Sequence, residues 1–281
     1  MVHGSDEDLT GSVEKVREMF LQEAQENPNF YDPIDIDRVR TDDYTVRRFV
    51  QNQRGDVEKG FNMLMSAMKW RKSFGVNDIK PSDFPKEYFE TGEGHLYVKD
   101  KNDVYLVYLR VKLHKKITEL TPLSQKYLVY LIEHCEAEGI KTGKGYGLIW
   151  DCLGGTLFNV DLDLLQFLTT VWTNYYPGGS RYIILHELPW ILRAIYRLVR
   201  SWMPEDLRQQ ITFADRNSIG DFVGTDNLPD YLNGRCEVSY KTAPSQCKPM
   251  VDLVNKEIIQ RDVFVKFMDH YRPYLNTKSA S

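Results

Sequence analysis

The sequence has little cysteine and no long apolar run. Only four of its 281 residues are cysteines, and none of them stands in a Cys-x-x-Cys pair. Four are too few for a disulfide framework, so we expect free thiols in a reducing compartment. The longest apolar run is well short of the roughly 18 to 20 residues that cross a bilayer. The acidic start at Asp6, Glu7 and Asp8 is unlike a secretory signal. We therefore expect a soluble, cytoplasmic protein.

An excess of positive charge is also missing. The chain has 36 Lys and Arg against 40 Asp and Glu, which gives a formal net charge of −4. A polyanion binder needs a basic surface, so we expect no nucleic-acid partner. With 42% hydrophobic residues, the composition is that of an ordinary folded protein with one large core or two smaller ones.

Signals of catalysis are weak. The Gly143-x-Gly145-x-Gly147 run precedes a predicted strand, whereas a phosphate-binding loop follows a strand and opens a helix. Cys152 is followed by two glycines, as in a phosphatase loop, but Phe158 stands where the required arginine would be.

The histidines do not pair at metal-ligand spacing. Asp151 and the His186-Glu187 pair lie at predicted strand ends, where acid–base chemistry is an alternative to a polar pair with a structural role. We favour the structural role, and we expect no enzyme activity, no cofactor and no metal.

The hydrophobic period divides the chain. Residues 1–90 are mostly helical: we predict helices from Ser12 to Glu26, from Thr41 to Gln53 and from Asp56 to Phe74, with Asp56 as an N-cap. Residues 91–235 alternate strands with helices, and residues 236–281 form a partly helical tail. We predict these three ranges as the domain organisation.

Five strands are predicted in the second range. A hairpin pairs Leu96–Lys99 with Val104–Val111, and further strands run from Tyr146 to Asp151, from Arg181 to His186 and near Gln210–Phe213. The intervening segments predict helices at 122–138, 162–175 and 189–202. The fold class is therefore α/β, with an N-terminal helical bundle followed by a mixed five-stranded sheet flanked by helices.

Two helices carry the most information. The segment from Trp190 to Trp202 is strongly amphipathic, with an apolar side opposite a stripe of three arginines, Arg193, Arg197 and Arg200. It is either a surface helix with a solvated edge or a lid over an apolar cavity. The segment 162–175 is apolar on nearly every side, so we expect it to be buried all round, either as central core or as the wall of a pocket.

These residues resemble the CRAL-TRIO family. The matching motifs occur in order from about residue 12 to residue 235. They are Arg48-Phe49-Val50, Gly55-Asp56-Val57-Glu58-Lys59, Met63-Leu64, Lys69-Trp70-Arg71-Lys72, the strand Gly147–Asp151, Tyr175-Tyr176-Pro177, the strand Arg181–Leu185 with Pro189-Trp190, and Asn227-Leu228-Pro229 with Gly234.

The resemblance implies a lipid-binding domain whose sheet and helices enclose a hydrophobic pocket, with residues 190–202 as its gate. On this interpretation the protein carries a phospholipid or another small lipid between membranes. The pocket is expected to be lined by Trp150, Leu165, Leu168, Trp172, Ile184, Ile191, Ile195, Leu198 and Trp202. Arg193, Arg197 and Arg200 are expected to dock transiently on an anionic membrane surface.

Phosphatidylinositol binders of the family place an acidic residue after the Tyr-Pro pair and a lysine before the last strand. This sequence has Gly178 and Gln210 there, and only Arg54 occupies a basic position of that headgroup site.

The alternative function is a protein-interaction or membrane-tethering module, with a membrane-tethered protein as partner. In that case the pocket would be vestigial or regulatory, filled by large aromatic side chains such as Trp150, Phe158, Phe167 and Trp172.

Overall fold

The computed structural model describes residues 6–275, which form two compact units. Unit 1 consists of the chain up to Ile79 together with Leu168–Gly179. Unit 2 consists of Lys80–Phe167 and the chain from Ser180 onwards. Unit 1 is helical, and unit 2 contains the sheet.

Unit 1 is built on four helices. They are α1 (Asp6–Glu26), α2 (Pro33–Thr41), α3 (Asp43–Asn52) and α4 (Val57–Phe74). The side chain of Asp56 accepts a hydrogen bond from the backbone N–H of Lys59, which confirms Asp56 as the N-cap of α4. The helix predicted from Thr41 begins two residues later, because Asp42 is extended and caps α3 instead. Apolar side chains of α1, α3 and α4, including Phe20, Phe49 and Leu64, form the core.

The segment that closes unit 1 is held by residues of the sequence motifs. Arg48 Nε donates to the carbonyl of Pro177 at 2.7 Å, and the Trp70 ring stacks on Tyr175 with ring centroids 4.2 Å apart. Motifs more than 100 residues apart in sequence are therefore direct partners in space.

A buried polar cluster holds the same segment. Arg71 Nε donates to Asp35 at 2.9 Å, and Arg71 Nη1 donates to the Tyr176 hydroxyl at 3.1 Å. Asn77 donates to the second oxygen of Asp35 at 3.0 Å. Asp35 is fully buried and Arg71 nearly so, so the charge of each depends on the other.

Unit 2 is organised around a five-stranded sheet. The strands are β1 (Gly94–Tyr97), β2 (Tyr105–Arg110), β3 (Tyr146–Asp151), β4 (Ser180–His186) and β5 (Ile211–Ala214), in the order 1-2-3-4-5. β1 and β2 form the predicted antiparallel hairpin, and the other neighbours are parallel. The α/β class with a mixed five-stranded sheet is thus confirmed.

The second part of the chain also contains helices. They are α5 (Lys86–Glu90), α6 (Thr121–Thr142), α7 (Leu162–Thr170), α8 (Arg193–Trp202), α9 (Glu205–Gln209), α10 (Ile219–Val223), α11 (Met250–Asn255) and α12 (Arg261–Tyr271). The last residues of α7 belong to unit 1. α11 and α12 give the tail the helical character that its pattern predicts, and they pack on Ile117 and Leu120.

The two faces of the sheet have different surroundings. On one face, Tyr108, Ile149 and Ile184 pack with Ile219 and Val223 of α10. On the other face, a Cβ atom at Gly94 would lie 3.3 Å from both Leu109 of β2 and Leu131 of α6. Helix α6 therefore packs on this face. Because neighbouring residues of a strand point to opposite faces, each strand contributes to both layers.

The segment 162–175 departs from its prediction in two ways. It is α-helical only to Thr170 and continues as a π-helix from Val171 to Tyr175, closed by the hydrogen bond from the Tyr176 N–H to the Val171 carbonyl. It is also not buried all round, since the Leu162 side chain is 40% exposed. An apolar pattern shows which sides can be buried, but the neighbours decide which sides are.

Candidate functional site

An apolar row crosses the α6 face of the sheet at the carboxyl ends of its parallel strands. The register aligns its members side by side: Leu109, Trp150, Leu185 and Phe213. The first three are half-buried and Phe213 is 54% exposed. In the next row on the same face, Val107, Leu148 and Ile183 are buried, and Ile211 at the sheet edge is half-buried. The sheet therefore has an incompletely covered apolar edge at the end where α/β proteins bind ligands.

Helix α8 lies beside this row. The Tyr196 ring meets the Phe213 ring edge to face, with centroids 5.3 Å apart. Tyr196, Ile195, Val199 and Trp202 are half-buried, so the helix contacts the body along one edge.

The predicted apolar face of α8 is only partly covered. No residue of α8 is buried: Leu198 is 41% exposed, and Ile191, in the 3₁₀ turn before the helix, is 37% exposed. Ile195, Val199 and Trp202 of the predicted apolar side are half-buried, whereas Ala194 is exposed like Leu198, so the pattern does not determine how closely the helix approaches the sheet. The consequence is a helix with few contacts that would hold it in place.

The three arginines of this helix face solvent. Arg193, Arg197 and Arg200 are exposed, and none has an acidic partner among residues 6–275. The Arg197 side chain donates from Nε to the Arg193 carbonyl at 3.4 Å. Their charges are therefore not neutralised by the protein.

The other predicted pocket residues are distributed unevenly. Trp150 lies in the apolar row, and Leu165 is half-buried in the unit 2 part of α7. Leu168 and Trp172 are buried and belong to unit 1.

Ile184 requires a correction. It pairs with Ile149 and lies in the core on the opposite face from Trp150, so these two cannot line one cavity. The register partner of Trp150 is Leu185, which the sequence analysis did not select. Strand alternation separates Ile184 from Leu185, but only the pairing with β3 shows which of them shares the face of Trp150.

Phe158 is likewise not a filler of the interior. Its side chain is 89% exposed.

The polar residues at the strand ends form a cluster on the opposite face. His186 Nδ1 lies 2.9 Å from Asp151 Oδ1, and Arg110 Nε lies 3.7 Å from Asp151 Oδ2. The Arg110 guanidinium also covers the Tyr231 ring at 3.7 Å. Asp151 and His186 are buried, so this cluster compensates charge within the fold.

Cys152 follows this cluster in the chain. Its burial, together with the neighbouring Asp151 carboxylate, raises the pKa of the Cys152 thiol to about 12. The thiol is therefore protonated at neutral pH and is a poor nucleophile.

A second charged cluster ties the tail to the sheet. His114 Nδ1 lies 2.7 Å from Glu93, and His114 Nε2 lies 3.5 Å from Asp161. Burial disfavours the charged form of the His114 ring and lowers its pKa. The hydrogen bonds and negative charges of Asp161 and Glu93 have the larger effect and raise the pKa of His114 to about 9. The Tyr271 hydroxyl of α12 donates to the same Glu93 carboxylate.

The positions of a phosphoinositide headgroup site carry little charge. Gly178 has a positive φ of 70° in unit 1. In unit 2, the side-chain oxygen of Gln210 accepts a hydrogen bond from Ser180 Oγ at 2.6 Å. These two residues supply no ionic contact for a phosphate.

Within the described part of the chain, the helices include none whose length and apolar character would let it span a bilayer.

Comparison with known proteins gives consistent matches. The profile of the family described as "CRAL/TRIO domain" matches residues 90–234. The phosphatidylinositol transfer protein CSR1 of Eremothecium gossypii is 22% identical over 214 residues, which cover 70% of this chain and 48% of that protein. The CRAL-TRIO domain-containing protein C3H8.02 of Schizosaccharomyces pombe is 22% identical, over 88% of this chain and 58% of its own length. The chain thus spans about half the length of these two relatives.

Two further matches cover more of the similar protein. The Sec14 cytosolic factor of Schizosaccharomyces pombe is 26% identical over 70% of this chain and 76% of its own length. The crystal structure of Sfh5 superposes with a TM-score of 0.62 at 13% identity, covering 92% of this chain and all of that one. At this identity the superposition shows the fold alone.

Proposed function

Since the chain belongs to the CRAL/TRIO domain family, we propose that it binds a lipid and transfers it between membranes without making or breaking bonds. The observation that carries the proposal is the part-exposed apolar row Leu109–Trp150–Leu185–Phe213 next to an amphipathic helix with few contacts. The relatives named for phosphatidylinositol transfer and as a Sec14 cytosolic factor support the same class of function.

The proposed cavity lies in unit 2, with this row as its floor. Ile195, Leu198 and Trp202 of α8, together with Ile191 in the 3₁₀ turn before it, would cover the row when the helix closes, and Leu165 would contribute from α7. Leu168 and Trp172 belong to unit 1 and are not part of this proposal, and Ile184 is left out because it faces the other side. Apolar walls with few polar groups suit a hydrocarbon chain.

The energetic need for such a protein is large. Each methylene that leaves a bilayer for water costs about 0.8 kcal/mol, so a chain of roughly 16 carbons costs on the order of 10 kcal/mol. A cavity that replaces the bilayer as solvent removes most of that barrier. A gate that opens at the membrane surface lets the chain enter without full hydration.

The gate carries its own docking charges in this proposal. Arg193, Arg197 and Arg200 have no acidic partner in the described part of the chain, and each cation near an anionic surface contributes about 1 kcal/mol of binding. Docking would place the exposed Ile191 and Leu198 beside the lipid, where their apolar surface favours opening.

The docking role is tested by replacing Arg193, Arg197 and Arg200 with Ala together. We expect the affinity for phosphatidylserine-containing vesicles, measured by sedimentation, to fall at least tenfold. Thermal stability should not change, because all three arginines are exposed. The matched control replaces three exposed basic residues of the tail with Ala: Lys256, Arg261 and Arg272. It therefore has the same net charge as the triple variant of the helix. Equal sedimentation of both triple variants would contradict the docking role.

A further inference from the structure

Two large apolar side chains stand exposed on a tight turn of unit 2. Leu157 and Phe158, in the short 3₁₀ helix Leu157–Asn159, are 53% and 89% exposed. Thr156 and Asn159 close a capping box around them: the Thr156 N–H and the Thr156 hydroxyl both donate to Asn159 Oδ1 at 2.9 Å. The turn is therefore fixed in shape.

The turn is also fixed in place. Asn159 Nδ2 donates to the carbonyls of Lys112 and His114, at 3.1 and 3.0 Å. These bonds attach residues 156–159 to the segment that follows β2. Holding the adjacent Leu157 and Phe158 in solvent on a rigid support contributes no burial to folding, and contiguous exposed apolar side chains are typical of interaction sites.

A third large apolar side chain, Trp190, is exposed on a neighbouring segment. It is 78% exposed, whereas Leu192, two residues later, is buried. A Cβ atom at Gly155, which precedes the turn, would lie 3.1 Å from the side chains of Leu192 and Val111. Leu192 precedes α8 and Val111 follows β2, so these three segments meet at Gly155. Phe158 and Trp190 are thus presented by neighbouring, anchored segments.

Uncompensated cations accompany these aromatics. Lys112 and Lys115 are exposed and form no ion pair among the described residues, and Arg193 follows directly on the 3₁₀ turn of Trp190. The Lys112 side chain passes 3.3 Å from a Cβ position at Gly154, next to the turn. The nearby carboxylates Asp161 and Asp163 are paired with Lys116. Exposed apolar side chains and unpaired cations therefore occur together on these neighbouring segments.

We propose that this insertion surface, defined by Leu157, Phe158, Trp190, Lys112 and Lys115, enters the interface of an anionic bilayer. The inference rests on the proposed lipid transfer, and it adds a fixed anchor beside the mobile gate. Aromatic side chains partition into the headgroup boundary, and lysines beside them pair with acidic lipids. A bilayer offers both chemistries over one flat area.

The test measures binding to vesicles of phosphatidylcholine with 30% phosphatidylserine. Phe158→Ser and Trp190→Ser should each lower the affinity about tenfold, because each removes one inserted apolar side chain. Phe222→Ser is the matched control: Phe222 is 37% exposed on α10, which covers the opposite face of the sheet. We expect this variant to bind like the wild type. Unchanged binding of the Phe158 and Trp190 variants would overturn the inference.

A charge variant separates the two contributions. Lys112→Ala with Lys115→Ala should weaken binding to the acidic vesicles by more than tenfold, and the loss should shrink at high salt. If the double lysine variant bound acidic vesicles as tightly as the wild type, the electrostatic part of the proposal would be refuted. If the variants lost as much affinity for vesicles of pure phosphatidylcholine, the selectivity for acidic lipid would be refuted.

The insertion surface and the lipid cavity can fail separately. Variants of the surface should retain any lipid that co-purifies with the protein, as measured by native mass spectrometry. Normal vesicle binding by a protein that never holds lipid would contradict the proposed function alone.

Discussion

At the residue scale, the sequence motifs of the first 80 residues become understandable as contacts. Arg48 reaches Pro177 and Trp70 stacks on Tyr175, so residues that only resembled a family pattern prove to be structural partners within unit 1. The glycine of the motif at position 234 also has a geometric reason, since a Cβ atom there would lie 1.9 Å from the Leu228 carbonyl oxygen. Such roles follow from geometry and could not be read from residue type.

Arg71→Met should destabilise the protein by about 3 kcal/mol, because the buried Asp35 carboxylate then keeps only the half-exposed Arg38, 3.6 Å away, as a cationic partner. Chemical denaturation followed by circular dichroism measures this. Adding Asp35→Asn should recover much of the loss, since the uncompensated charge is then gone.

The control for this variant is Arg40→Met. Arg40 pairs with Asp37 at the surface, so its loss should cost under about 1 kcal/mol. Equal destabilisation by the buried and exposed arginine variants would contradict the role assigned to the Arg71–Asp35 pair.

His114 should make stability fall at alkaline pH. Its pKa is about 9 in the fold and about 6.5 in the unfolded chain, so its contribution is fully present below pH 6.5. The contribution is lost as pH rises through 9, a decrease of up to about 3 kcal/mol. Urea denaturation between pH 6 and 9.5 measures the slope.

His114→Gln should flatten that slope. His134→Gln is the control, because burial lowers the pKa of His134, the opposite direction from the shift of His114. If the wild type and the His114 variant showed parallel pH profiles, the charged state of His114 would be refuted.

At the element scale, periodicity predicts the helices and strands well but not their surroundings. The hairpin and the strand Tyr146–Asp151 occur where their patterns place them, whereas the helix predicted at 189–202 is α-helical only from Arg193, after a 3₁₀ turn at Trp190–Leu192. The π-helix at 171–175 does not follow from any pattern, since it depends on how the chain packs at its end. The choice between Ile184 and Leu185 likewise depends on strand pairing over long sequence distances.

Tethering α8 to β5 should block lipid transfer if the helix is a gate. Tyr196→Cys with Phe213→Cys places two thiols where the rings now touch, and a short reducible cross-linker can join them. The background carries Cys236→Ser and Cys247→Ser, because the other two cysteines are buried. Transfer of a fluorescent phospholipid between vesicles should fall at least tenfold and return on reduction.

Each single-cysteine variant, treated in the same way, serves as the control and should retain its rate. A cross-linked protein that transfers lipid as fast as the reduced one would show that movement of α8 away from β5 is unnecessary.

At the scale of the whole molecule, alternating helices and strands predict the class and the mixed sheet, because short connections restrict the topology. The composition of the two units is a different matter. Leu168–Gly179 joins unit 1 although strands of unit 2 precede and follow it in the chain. No local pattern signals such a return, since it depends on contacts such as those of Tyr175 and Pro177 with α4 and α3. The three-part division at residues 90 and 235 remains a prediction.

The central claim is that unit 2 holds a lipid behind α8, and native mass spectrometry of the purified chain tests it most directly. The account predicts a mass excess equal to one lipid molecule, which organic extraction releases and incubation with vesicles restores. A protein that carries no added mass, and takes up none from vesicles of mixed phospholipids, would contradict it.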